Sequence, residues 1–97
     1  MLTSKQRAKL RSLSNSLETI LHIGKGGVTE NVIRQADEAL TARELVKGRV
    51  LENSLVSPRE AASALCEALG CDPVQVIGTK FVLYRENPED RKVVIDE

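Results

Sequence analysis

The stretch "HIGKGGVTENVI", residues 22–33, has the clearest chemical use of any in this 97-residue chain. Gly24, Lys25, Gly26 and Gly27 lie between a short apolar run and a segment opened by Thr29 and Glu30, a residue type that caps helices followed by an acid that suits their positive end. Glycine admits positive φ and, having no Cβ, lets another molecule's backbone come close. A helix N-terminus adds unpaired N–H groups and partial positive charge, so a glycine corner in front of one suits anions. Lys25 brings a full charge to the tip. A nucleotide P-loop would need a Lys-Ser/Thr pair after its last glycine, whereas Lys25 precedes Gly26 and Gly27. A dinucleotide fingerprint would need a third glycine where Thr29 stands. What remains is G-x-x-G, the short loop with which KH domains clamp a nucleic-acid backbone. The competing reading is a strand-to-helix turn in which glycine serves geometry alone.

Other reactive side chains are few. His22 is the single histidine and has no evident partner, so it reads as a packed or surface residue rather than a base. Cys66 and Cys71 lack the further ligands of a zinc set and read as small reduced hydrophobes. Neither a metal nor a cofactor is expected. With no ordered Ser/His/Asp set, and with the acids of "ENPEDR" reading as solvated, the expectation is a non-catalytic protein.

The elements that would hold the glycine corner follow from local pattern. Thr3 and Gln6 form a capping-box pair ahead of Leu10, Leu13 and Leu17, which predicts a helix over 4–15 bearing Lys5, Arg7, Lys9 and Arg11 and no acid. "TILHI", residues 19–23, reads as a central strand buried on both faces. Val32, Ile33, Ala36, Ala39 and Leu40 make one stripe of a helix over 30–42. Residues 43–51, "RELVKGRVL", alternate as a strand with Lys47 and Arg49 on one face, and Gly48 within it signals a bulge or a close backbone approach. Ser57, Pro58 and Glu60 open a helix over 58–69 that Gly70 ends. "VQVIG" and "FVLYR" form a terminal hairpin around Gly78, Thr79 and Lys80. Residues 87–97 read as a frayed acidic tail unless Val93 to Ile95 add an edge strand. The order is α-β-α-β-α-β-β. Strand-helix-strand units imply parallel neighbours and the hairpin an antiparallel one, so the fold expected is a two-layer α/β sandwich with a four-stranded mixed sheet.

Length and composition allow one domain, 1–97, with an aliphatic core, since the chain has one Phe, one Tyr and no Trp. No apolar run approaches the ~18 residues of a membrane span, and the basic N-terminus lacks the apolar stretch of a signal peptide; a cytoplasmic monomer is expected. Fourteen basic residues balance fourteen acidic ones, which argues against coating nucleic acid through global charge. The balance is uneven along the chain: residues 1–50 hold nine Lys/Arg against five Asp/Glu (+4), and residues 51–97 hold five against nine (−4). Such asymmetry points to a basic face.

Taken together, "LTSKQRAKLRSL", "IGKGGVTENVI", "RELVKGRVLEN" and "VQVIGTKFVLYREN" resemble, in order and over nearly the whole chain, the YhbY family, the stand-alone bacterial form of the CRM domain. The resemblance implies a fold related to the C-terminal domain of bacterial translation initiation factor three. It also implies RNA binding, tied in bacteria to the precursor of the large ribosomal subunit. The family's G-x-x-G loop falls on Gly24, Lys25, Gly26 and Gly27, and its basic first helix on Lys5, Arg7, Lys9 and Arg11. Lys47, Arg49, Tyr84 and Arg85 are secondary candidates if an uncovered sheet face also meets RNA. Gly48 departs from the β-branched or longer residue expected in that strand. A protein-protein adaptor on ribosomal particles, acting through the second helix or the acidic tail, is the alternative.

Overall fold

The computed structural model of the chain describes residues 2–89 and Val93. Its elements are α1 (Ser4–Ser14), β1 (Thr19–Ile23), α2 (Glu30–Arg43), β2 (Leu45–Val50), α3 (Pro58–Leu69), β3 (Asp72–Ile77) and β4 (Lys80–Tyr84). The order and the mixed four-stranded sheet are those expected. β1 and β2 are parallel, β4 is antiparallel to β2 and to β3, and the strands lie in the order β1-β2-β4-β3.

Each helix starts on the cap the sequence supplies. Thr3 and Gln6, and Ser57 and Glu60, close reciprocal capping boxes, and the Thr29 hydroxyl accepts from the Val32 amide. Gly70 ends α3 in the left-handed conformation at φ 67°. α2 ends differently, on Glu44 at φ 65°. Its fully buried carboxylate accepts the amides of Asn87 (2.5 Å) and Val93 (2.7 Å), and the Asn87 side chain donates to the Thr41 carbonyl (2.9 Å). The start of the expected acidic tail is thus tied to the end of α2; residues 90–92 and 94–97 lie outside the described residues.

α2 and α3 cover one face of the sheet through a core that includes Leu21, Ile23, Leu40, Val46, Leu65, Phe81 and Leu83. α1 lies across part of the other face, on β2 and β3, with Leu10 seated against Leu45, Val74, Val82 and Tyr84. Leu13, counted in its apolar stripe from the sequence, is 40% exposed.

One expectation is corrected here, and one left between two alternatives is decided. β1 is an edge strand rather than a central one, and His22 is exposed between buried Leu21 and Ile23. A short β-branched run satisfies either position, and only the polar His22 marked the open face. Gly48 holds no bulge, because β2 pairs with β4 in continuous register. It is instead a close approach: a Cβ there would lie 2.4 and 2.6 Å from Cζ and Cε1 of the Phe81 ring. The irregularities fall between Thr19 and Leu21 and between Pro73 and Gln75.

Cys66 and Cys71 are free, with their sulfurs 2.8 Å apart at the α3–β3 corner. The hydrogen bond with Cys71, with burial and the nearby charges of Cys71 and Asp72, pushes the Cys66 thiol up, while the hydrogen bond between the two draws Cys71 down. Of the two, Cys71 is the first to ionise.

Candidate nucleic-acid interface

The glycine corner is a four-residue turn closed by the Gly27 amide on the Gly24 carbonyl (3.0 Å). Its glycines do different jobs. Gly27 is buried at φ 71°, where a side chain would be strained. Gly24 and Gly26 have no such φ: a Cβ at Gly24 would make an ordinary 3.9 Å contact with Leu51, and one at Gly26 would press on the Thr29 methyl at 3.3 Å. Turn geometry therefore accounts for Gly27 and leaves Gly24 without a folding reason. Lys25 and Gly26 stand exposed at the tip, ahead of the α2 N-terminus. Glu30 in the first turn of α2 is the acid nearest in sequence and offsets part of the field there. A Cβ at Gly27 would also lie 3.7 Å from Val56, in the loop after β2.

The basic residues of α1 do not form one stripe. Arg7 and Arg11 are one turn apart and share a flank, and Lys5 and Lys9 share another. Arg7 lines a cleft with Arg59, Gln75 and Val76 beside β3. Lys9 lines a groove with Arg43, Leu45 and Val93, where β2 begins. The glycine corner follows the far end of β1, which runs parallel to β2, so about 16 Å of strand separates the two ends. Arg7 therefore stands by the β3 edge, across the sheet from β1 and the corner that follows it.

Of the secondary candidates, Tyr84 is 3% exposed in the α1-side core. Arg85 pairs with Asp37 (2.9 Å) and donates to the Leu69 carbonyl (3.2 Å), the Asp37 carbonyl (3.1 Å) and the Thr41 hydroxyl (2.9 Å), clamping α2 to the end of α3. Both are structural. The half-buried Lys47 reaches the Ser14 carbonyl (3.5 Å) and steadies the end of α1. Arg49 remains exposed.

The sheet also explains how a neutral chain presents a basic surface. α1, β1, β2 and β4 contain no Asp or Glu, and β3 contributes only Asp72, at the end away from the corner. α2 and α3, on the opposite face, carry Glu30, Asp37, Glu38, Glu60 and Glu67 against Arg34, Arg43 and Arg59. Charge is sorted across the sheet, which a count by halves of the sequence shows only in part.

Elements free of Asp and Glu beside an exposed glycine corner suit a polyanion, and comparison with known proteins agrees in kind. The profile of the CRS1/YhbY (CRM) domain matches residues 2–85. The chain belongs to the CRS1/YhbY family. It is 44% identical over 93 residues to "Probable RNA-binding protein YqeI" of Bacillus subtilis, covering 96% of this chain and 97% of that one. It is 31% identical over 88 residues to an "RNA-binding protein" of Haemophilus influenzae, covering 91% and 89%. The solution structure of the hypothetical protein SAV1595 of Staphylococcus aureus, 45% identical, superposes with a TM-score of 0.82 over 99% of this chain and all of that one.

Proposed function

We propose that this CRM-domain protein is a non-catalytic RNA-binding protein that docks on structured ribosomal RNA during assembly of the large ribosomal subunit. The observation that carries the RNA reading is an exposed Lys25 at a glycine corner where Gly24 has room for a side chain, on a sheet whose α1, β1, β2 and β4 hold no acid. The names of its relatives support the same partner. The ribosomal setting rests on the family resemblance. In this reading the backbone of residues 24–27 and Lys25 grip phosphates, and Arg7 and Arg11 of α1 extend the contact. The protein acts in the cytoplasm as a monomer.

Crosslinking in cells followed by sequencing of the bound RNA tests this. Recovery of large-subunit precursor RNA, lost on RNase treatment of the particles before pull-down, is the expected result. Co-purification with a ribosomal protein that survives RNase, with no crosslinked RNA, would establish the adaptor instead.

A further inference from the structure

Beyond the corner and α1, the sheet carries a row of basic side chains. His22 on β1 is the register partner of Arg49 on β2, and Arg49 is the partner of Lys80 on β4. Their chain neighbours Leu21, Ile23, Val50 and Phe81 belong to the α2/α3-side core, and Gly48 lies under the Phe81 ring. By strand alternation all three therefore point to the α1 face. All three are exposed. α1 covers the rungs of Leu45, Val82 and Val74 and leaves this one open. At a strand spacing of about 4.8 Å, the row is roughly 10 Å long, at the end of the sheet where the glycine corner sits.

Arg49 opposite Lys80 opposes folding, because like charges directly across an antiparallel pair repel. Neither makes an ion pair among the described residues. The nearest acid in sequence to Arg49 is Glu52, in the loop after β2. A repulsive pair kept without a counter-ion is accounted for if a polyanion supplies one.

The class of polyanion follows from what the face lacks. The chain's two aromatic residues are both buried, Phe81 at 0% and Tyr84 at 3% exposure. His22 is then the one exposed planar ring among the described residues, too few for a run of unstacked bases, whereas duplex RNA is read through backbone and shape. The geometry points to a phosphate track that starts at Lys25, crosses the sheet through His22, Arg49 and Lys80, and continues to Arg7 and Arg11, and that takes the backbone of an RNA duplex. Lys5 and Lys9 lie off it. This rests on the RNA-binding reading and specifies its surface and partner.

The test compares the full chain with Arg49→Gln/Lys80→Gln and Lys5→Gln/Lys9→Gln, each remaining folded by circular dichroism. The probes are an RNA hairpin of about 16 base pairs and an unstructured oligouridine of equal nucleotide number, titrated over a range of salt. The expected result is that the wild type prefers the hairpin. The row variant should lose about tenfold in hairpin affinity, and its log-log salt slope should fall by about 1.4 to 1.8, as for two lost phosphate contacts. The α1 variant should stay within about twofold. A row variant that binds the hairpin like wild type, while Lys25→Glu does not, overturns the track and leaves RNA binding standing. Equal loss in the two double variants overturns its path, and preference for oligouridine overturns the duplex. A wild type that binds neither probe overturns the RNA-binding reading itself.

Discussion

Replacing Gly48 by alanine adds one methyl group where there is no room for it. The new Cβ would stand 2.4 Å from Phe81 Cζ and 2.6 Å from Cε1. Carbon atoms rest comfortably at about 3.5–4.0 Å, so the ring has to retreat by roughly 1 Å. Phe81 is fully buried in the larger core, so its neighbours must move with it. Overpacking of this kind costs about 1–3 kcal/mol, and this contact belongs at the upper end. Alanine recovers about 0.4–1 kcal/mol by restricting the unfolded chain. The net loss is about 2 kcal/mol, which for a domain of this size lowers the melting temperature by roughly 8–16 °C. Urea titration reads the free energy directly, and Gly48→Ala combined with Phe81→Leu should show favourable coupling of about 1 kcal/mol, because the smaller side chain vacates the space. A Gly48→Ala protein within about 0.5 kcal/mol of wild type would refute the account of why β2 carries a glycine.

Arg49→Glu places an acid opposite Lys80; it should raise stability by about 0.2–1 kcal/mol in urea titration while weakening RNA binding in a filter assay, a separation that a purely structural Arg49 would not give. Arg85→Ala should cost about 1–2 kcal/mol, from the lost Asp37 pair and carbonyl contacts, and leave the salt slope of RNA binding unchanged. Glu44→Ala removes the acceptor of the Asn87 and Val93 amides; hydrogen exchange at both should accelerate, with a stability loss of about 2–3 kcal/mol. Because Cys71 is lowered and Cys66 raised, mass-spectrometric mapping of limited alkylation as pH rises should find the first thiolate on Cys71.

Most of the fold was legible in short-range signals. Thr3 with Gln6, Thr29, and Ser57 with Glu60 announced all three helix starts, and Gly70 one of the ends. Edge and centre were not legible in "TILHI", because burial on two faces depends on strand order, which a five-residue run does not encode. The other helix end, at Glu44, was hidden because a non-glycine residue at positive φ is held there by contacts with Arg85, Asn87 and Val93. Within the candidate interface, the Gly24–Gly27 loop and Lys25 were readable from type and spacing. Lys80 was read only as part of a hairpin turn and His22 only as an isolated residue, since the β1-β2-β4 register that aligns both with Arg49 is a long-range property. Tyr84 and Arg85 drew attention as an aromatic beside a cation, a pattern that the core and the Asp37 clamp explain fully.

The central claim is that RNA phosphates rest against the open corner of residues 24–27. The salt dependence of hairpin-RNA affinity for wild type and for Lys25→Glu/Gly26→Asp tests it most directly, with urea titration confirming that the variant is folded. The account predicts a wild-type affinity that falls steeply with salt and a variant that loses most of it, with a slope shallower by about 0.7–0.9 for each phosphate contact removed. A folded variant that binds with the affinity and slope of the wild type would contradict it.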